Sequence, residues 1–215
     1  MARYDAILFD VDGTLLHSSP GILSTMEYTF REVGIDPATV DLTRYIGPPL
    51  RTSFGEHFSD EATVERMVQL YREEYHRTGQ HMCSPFPGAM EMLETLKQAG
   101  IPLYTATAKP TDVVTPILQE QKMDHFFEFI GGATKDKSAE TKTAVIQMVL
   151  ARPELIGKRI LMVGDRQDDM QGAANCNVPA AGVLYGYGSR QELEPFHPVF
   201  LAQDCSQLTN YILNL

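Results

Sequence analysis

Residues 7–14 read Ile-Leu-Phe-Asp-Val-Asp-Gly-Thr, and this stretch decides how the rest of the chain is interpreted. The apolar run that leads into it is typical of a strand buried in a sheet. Two carboxylates follow two positions apart, and Gly13 allows the chain to turn sharply. If the strand persisted, Asp10 and Asp12 would lie on the same side of it. The alternative is a plain acidic turn, since Asp and Gly are ordinary turn residues.

Asp10 and Asp12 have the chemistry of a cation site. Carboxylates this close repel each other unless a cation or a shared proton compensates. Their position after a buried strand is also where open parallel sheets bind ligands. We therefore predict a divalent metal here.

A second apolar run ends in carboxylates farther along the chain. Residues 159–169 read Arg-Ile-Leu-Met-Val-Gly-Asp-Arg-Gln-Asp-Asp. Asp165 mirrors Asp10 at a strand end, and two such ends side by side predict an oxygen-rich magnesium site. Asp168 and Asp169 open the following helix, where acidic residues are common, so capping is the favoured role of Asp168.

Strands and helices alternate from about residue 85 onward, which predicts a mostly parallel sheet with helices on both faces. Residues 16–83 break this rhythm and show helical windows instead. We expect a core from residues 1–15 and 84–215 and a helical insert from 16–83, with hinges at 15–19 and 81–85. Predicted strands lie at 101–107, 126–130, 159–163, 180–184 and 198–201, and predicted helices at 21–33, 49–58, 61–77, 88–100, 111–121, 139–151, 168–176 and 205–213.

Composition excludes several classes of protein. The 215 residues are 43% hydrophobic and carry a formal charge of −10, which argues against binding to nucleic acid or to an anionic membrane. The three cysteines form no metal-spaced pair and fit a reduced, cytoplasmic setting. No apolar run approaches membrane-spanning length, and because a strand begins at once near the N-terminus we expect no signal peptide.

Two further side chains suit a phosphate. Thr107 ends the strand from residue 101, where a hydroxyl with nearby N–H groups fits a phosphate oxygen, although a helix cap explains it equally well. Lys142 begins a helix, which is unfavourable for the helix dipole unless an anion is bound there. Lys135 and Lys137 in the preceding loop are rivals, with solvated charge as their alternative.

Together these motifs resemble the haloacid dehalogenase superfamily of phosphatases, and more closely its phosphoglycolate-phosphatase-like branch. The resemblance spans nearly the full length, through Asp-Val-Asp-Gly-Thr at 10–14, Thr107, Lys142 and Gly-Asp-x-x-x-Asp at 164–169. The stretch Gly-Val-Leu-Tyr-Gly-Tyr-Gly at 182–188 looks like one subgroup. The resemblance implies an α/β fold with a Rossmann-like three-layer core and a small all-helical cap inserted after the first strand.

The resemblance also implies a role for each matched residue. Asp10 would be the nucleophile that forms an aspartyl-phosphate, and Asp12 the acid and then the base. Thr107 and Lys142 would hold the phosphoryl oxygens. The implied ligands of Mg²⁺ are Asp10, the Asp12 carbonyl, Asp165 and Asp169, the last either as a ligand or as a residue that contacts the other ligands.

Two residues depart from the pattern of the family, and one loop bears on substrate specificity. Ala108 stands where many relatives have Asn, which removes one hydrogen bond near the phosphate. His17 stands where an acidic residue is common at the cap hinge. Residues 46–51 resemble the cap loop that faces the active site in relatives, so Arg51 is a candidate substrate contact, with solvation as its alternative; Arg44 is less favoured.

The leading hypothesis is a magnesium-dependent phosphatase acting on a small phosphorylated metabolite, such as phosphoglycolate or a nucleoside monophosphate, as a monomer or homodimer. A sugar-phosphate mutase needs the same Asp10 and Asp12 and is the enzyme rival. Dehalogenase and transport-ATPase chemistry are disfavoured by an acid–base Asp at position 12. A non-catalytic binding protein on the same fold is the alternative of another class.

Overall fold

The computed structural model describes residues 2–134 and 138–215, so Lys135 and Lys137 lie outside it. The chain divides into two compact units: a discontinuous unit that runs to His17 and resumes at Pro85–Leu215, and a continuous unit from Ser18 to Ser84.

The discontinuous unit is built on a six-stranded sheet. The six strands are β1 Ala6–Phe9, β4 Leu103–Pro110, β5 Phe127–Ala133, β6 Ile160–Gly164, β7 Ala180–Val183 and β8 Phe200–Ala202. Their order across the sheet is β5-β4-β1-β6-β7-β8, and all five strand pairs are parallel, as the alternating pattern predicts.

Strand β1 lies at the centre of this sheet because its side chains are apolar on both faces. Ala6 and Leu8 belong to the core cluster that includes Val145 and Ile146, whereas Ile7 and Phe9 point to the opposite face by strand alternation. All four β1 residues are fully buried, so both faces of the sheet are covered. This confirms the predicted α/β fold with a Rossmann-like core.

The helices of this unit connect the strands and cover the sheet. Helices α6 and α7 pack together, and so do α4 and α9. The helices are α4 Ala89–Gln98, α5 Thr111–Glu120, α6 Lys142–Leu150, α7 Gln167–Asn175, α8 Arg190–Leu193 and α9 Cys205–Leu213.

The unit from Ser18 to Ser84 is mainly helical. Its helices are α1 Ser19–Glu32, α2 Leu50–Gly55 and α3 Glu61–Arg77. Phe30 and Phe54 are fully buried and meet edge to face, with ring centroids 5.9 Å apart, which gives the unit a core of its own. Two short strands, β2 Leu16–His17 and β3 Ser84–Pro85, lie where the chain passes between the units.

Several boundaries differ from those predicted. Strand β1 ends at Phe9, so Asp10 and Asp12 lie in the loop after the strand. Helix α6 begins at Lys142 instead of residue 139 because the Thr141 Oγ1 accepts a hydrogen bond from the Ala144 N–H and caps the helix there. Strand β4 continues past Thr107 to Pro110.

Among residues 2–134 and 138–215, no helix has both the length and the apolar character that crossing a bilayer requires.

Candidate active site

The two strands that precede the acidic motifs are neighbours in the sheet. Phe9 of β1 lies opposite Val163 of β6, and the Asp10 N–H donates to the Val163 carbonyl at 2.9 Å. Because both strands are parallel and end at the same edge, Asp10 and Asp165 emerge side by side. This is the arrangement that the mirrored motifs predict.

Asp169 completes a cluster of three buried carboxylates. One oxygen each from Asp10, Asp165 and Asp169 lies within 4.8 Å of the others. Asp169 reaches the cluster from the first turn of α7, where its Oδ2 also accepts a hydrogen bond from the Arg166 N–H at 3.0 Å. Asp168 is exposed at the start of the same helix and lies outside the cluster.

Lys142 supplies positive charge to two of these carboxylates. Its Nζ donates to the Asp10 Oδ1 at 2.7 Å and to the Ala106 carbonyl at 3.1 Å. It also lies 2.7 Å from the Asp169 Oδ1, as an ion pair without hydrogen-bond geometry. The lysine side chain is only 8% exposed, so the unfavourable helix-start position noted in the sequence is compensated by two aspartates.

Burial and the neighbouring charges both shift the ionisation of these side chains. Burial raises the pKa of Asp10 to about 6, although Lys142 acts in the opposite direction. Burial raises the pKa of Asp165 well above its usual range, and the neighbouring Asp169 and Asp10 add to this. Burial lowers the pKa of Lys142, but the Asp10 and Asp169 carboxylates outweigh it and the net direction is upward.

These residues fit a divalent cation. The Asp169 Oδ1 is buried, and the Lys142 ammonium lies 2.7 Å from it. A buried oxygen of this kind next to two further carboxylates is a suitable donor set for Mg²⁺, which prefers oxygen ligands. A cation bound there would favour the charged forms of the same carboxylates.

Two hydrogen bonds hold the Asp165 carboxylate in position. Its Oδ2 accepts a hydrogen bond from the Tyr187 N–H at 2.8 Å, and its Oδ1 accepts a long one from the Thr14 hydroxyl at 3.4 Å. Gly13 has a φ of +83°, and a Cβ at that position would lie 2.2 Å from the Asp165 Oδ2. The glycine of the first motif is therefore required both for the turn and for the approach of this carboxylate.

Asp12 and Thr107 are both linked to Lys109. The Lys109 Nζ donates to the Asp12 Oδ1 at 2.8 Å, with the two side chains 10% and 18% exposed. The Lys109 N–H donates to the Thr107 Oγ1 at 3.2 Å, and Thr107 is almost fully buried. Thr107 therefore lies on the same side of the sheet edge as the acid–base candidate.

The net charge of these side chains suits a divalent cation. Four carboxylates and two ammonium groups carry a formal charge of −2, which a divalent metal ion neutralises. The carboxylates are Asp10, Asp12, Asp165 and Asp169, and the ammonium groups are Lys109 and Lys142.

Sequence reasoning did not identify Lys109, Thr14 or Tyr187 as site residues. All three lie within or next to the motifs described above: Thr14 ends the first motif, Lys109 follows Thr107 by two positions, and Tyr187 belongs to the stretch 182–188. Tyr187 lies in the Tyr-Gly-Tyr-Gly stretch, whose apposition to Asp165 depends on the fold and is not encoded by local spacing.

Arg51 lies in the helical unit, where its guanidinium pairs with the Glu65 carboxylate through both Nε and Nη2. Its side chain is 38% exposed. Its role as a substrate contact stays a prediction.

A family model described as haloacid dehalogenase-like hydrolase matches residues 7–183. A 5'-nucleotidase from Pseudomonas aeruginosa is 36% identical over 96% of this chain and 94% of its own length. A tyrosine-protein kinase, PtkA, from Mycobacterium tuberculosis is 34% identical over 85% of this chain and 62% of its own length. Phosphoglycolate phosphatases also match along nearly their whole length.

The crystal structure of a predicted phosphatase from Clostridium acetobutylicum is similar to this chain, with a TM-score of 0.89 and 33% identity over 99% of both chains. These matches confirm the resemblance inferred from the motifs. The chain therefore belongs to the haloacid dehalogenase-like hydrolase family, and within it to the phosphatases that hydrolyse phosphoric monoesters.

Proposed function

We propose that this protein is a magnesium-dependent phosphatase that hydrolyses a small phosphorylated metabolite through an aspartyl-phosphate on Asp10. The observation that carries the proposal is the buried Asp10 carboxylate just after β1, which is paired with the Lys142 ammonium and clustered with the carboxylates of Asp165 and Asp169. A nucleophile needs this combination of fixed position and local positive charge to attack an anionic phosphoryl group.

In the first step, an Asp10 carboxylate oxygen bonds to phosphorus while the bond from phosphorus to the leaving oxygen breaks. The electron pair goes to the leaving oxygen, which takes a proton from the Asp12 carboxyl and departs as an alcohol. The Lys142 ammonium compensates charge on the transferring phosphoryl group, and the Thr107 hydroxyl donates to one of its oxygens.

In the second step, Asp12 acts as the base. It takes a proton from water as the water oxygen bonds to phosphorus. The bond between phosphorus and the Asp10 oxygen breaks, its electrons return to the Asp10 carboxylate, and inorganic phosphate is released. Mg²⁺ held by Asp10, Asp165, Asp169 and the Asp12 carbonyl would neutralise phosphoryl charge.

We assign substrate selection to the helical unit, as the proposed cap, with Arg51 as its candidate anion contact. Because Arg51 is paired with Glu65, binding a substrate anion would require Arg51 to exchange that carboxylate for the ligand. The 5'-nucleotidase and phosphoglycolate phosphatase relatives support a small phosphate monoester of either kind as the substrate.

Phosphate release from a panel of nucleoside monophosphates, phosphoglycolate and sugar phosphates tests the proposal directly. We expect release with Mg²⁺ and a loss of at least about 100-fold with a chelator, because uncompensated phosphoryl charge would face the acidic cluster. Full turnover in chelator would contradict the role given to the metal. No release from any member of the panel, by a folded protein with Mg²⁺ bound, would favour the mutase or the binding protein.

Binding of Mg²⁺ should also be visible without catalysis. We expect added Mg²⁺ to raise the melting temperature of the protein, since a ligand that binds only the folded state stabilises it by mass action. Asp165→Asn should lose most of this increase, whereas Asp168→Asn, an exposed change on the same helix start, should keep it. An equal increase in both variants would place the metal elsewhere.

The kinase relative suggests a second candidate function, which is transfer of a phosphoryl group to a protein tyrosine. The match covers 62% of that kinase. Incubation with labelled ATP and a tyrosine peptide separates the two activities, because a phosphatase releases inorganic phosphate and leaves the peptide unlabelled.

A further inference from the structure

We infer that Lys109 is a positioning residue that fixes the Asp12 carboxylate for hydrolysis of the aspartyl-phosphate, an inference that rests on the proposed function. The Lys109 Nζ donates to the Asp12 Oδ1 at 2.8 Å, across 97 positions in the sequence. Both side chains are mostly buried, so solvent screens the pair less than it would on the surface.

A bulge in β4 gives Lys109 this position. Thr107 lies opposite Gly132 of β5, and the next paired residues are Pro110 and Ala133. Ala108 and Lys109 are therefore extra residues on β4, and such bulges redirect side chains near active sites. A side chain at position 132 would clash with this arrangement, because its Cβ would lie 2.5 Å from the Lys109 carbonyl oxygen.

The same bulge connects two groups of the proposed mechanism. The backbone N–H of Lys109 donates to the Thr107 hydroxyl, while its side chain holds Asp12. A single residue thus sets the position of the base relative to the hydroxyl that would contact the phosphoryl group. Small changes in the position of the base are costly, since a displacement of about 1 Å can slow a reaction by roughly 100-fold.

The ion pair serves the second step in particular. Once Asp12 has donated its proton in the first step it is a carboxylate, which is the form that accepts a proton from water and pairs with an ammonium. With its Oδ1 held by Lys109, the carboxylate presents Oδ2 in a fixed direction. Without the ammonium, Asp12 is free to rotate, and attack of water on the aspartyl-phosphate slows while Asp10 keeps its own contacts to Lys142.

An aryl phosphate isolates this step. The leaving group of p-nitrophenyl phosphate departs without needing a proton, so phosphorylation of Asp10 does not require Asp12 as an acid. We expect Lys109→Met to release about one nitrophenolate per chain in a rapid burst, followed by steady-state turnover about 10- to 100-fold slower than wild type. Acid-quenched samples should carry a phosphoryl group on Asp10. Lys158→Met, which changes an exposed lysine, should behave as wild type.

Other outcomes would overturn the inference. Slow turnover of Lys109→Met without a burst or labelled Asp10 would mean that Lys109 acts before the intermediate forms. A raised KM with unchanged kcat would make it a substrate contact. Lys109→Gln, whose side chain is shorter and carries no charge, should show the same burst and serves if the Met variant does not fold. If wild type neither releases phosphate nor becomes labelled, the proposed function itself fails.

Discussion

Replacing Asp10 by asparagine should abolish phosphate release, by roughly 10⁴- to 10⁶-fold, while the protein stays folded. An amide is a poor nucleophile and cannot form the acyl phosphate, and the remaining residues of the site act only through that group. Phosphate release and labelling of residue 10, measured on both proteins with saturating Mg²⁺, test this.

The stability of the same variant is a second readout. Asp10 is buried beside Asp165 and Asp169, and burial raises the pKa of Asp10 to about 6. The ionised form of Asp10 is therefore destabilised in the absence of metal. Asparagine removes one of these negative charges, while Lys142 keeps its ion pair with Asp169. We therefore expect the melting temperature in chelator to stay the same or rise.

Asp168→Asn is the matched control, because it changes an exposed carboxylate at the start of the helix that carries Asp169. We expect this variant to retain wild-type turnover. Residual turnover of Asp10→Asn within about tenfold of wild type would refute a covalent mechanism on Asp10.

The sequence predicted those parts of the site that depend on local patterns of residues. A buried strand followed by carboxylates predicted the places of Asp10 and Asp165, and parallel pairing of β1 with β6 brings them together. Strand patterns were sufficient for these two residues, because each depends on one strand end. The role of Asp169 came from the resemblance to the family, and the first turn of α7 carries its side chain to the cluster.

The remaining parts depend on contacts between distant segments. Lys109 reaches Asp12 only because β4 bulges after Thr107, and the sequence predicted that this strand ends at Thr107. The predicted start of α6 at residue 139 was also wrong, because the Thr141 hydroxyl caps the helix two residues later than the periodic pattern begins. Hydrogen bonds of this kind outweigh hydrophobic periodicity at element ends.

Replacing Lys142 by methionine should have the largest effect on stability, at about 3–5 kcal/mol in chelator. The lysine is 8% exposed and pairs with both Asp10 and Asp169, so its loss leaves two buried carboxylates facing Asp165 without their ammonium partner. Urea unfolding in chelator measures this loss, and Lys158→Met provides an exposed lysine as control.

Added Mg²⁺ should recover much of that loss, because a divalent cation supplies the positive charge that the substitution removes. The increase in unfolding free energy on adding Mg²⁺ should accordingly be larger for Lys142→Met than for wild type. In chelator, a buried carboxyl with a raised pKa binds a proton that the unfolded chain has released. Stability therefore falls as pH rises from the ordinary value of 3.8 towards about 6, and the fall extends to higher pH in the variant, because Lys142 lowers the pKa of Asp10 in the wild type. If the substitution lowers the unfolding free energy by the same amount with and without Mg²⁺ and at every pH, Lys142 stabilises the fold by packing and not by its charge.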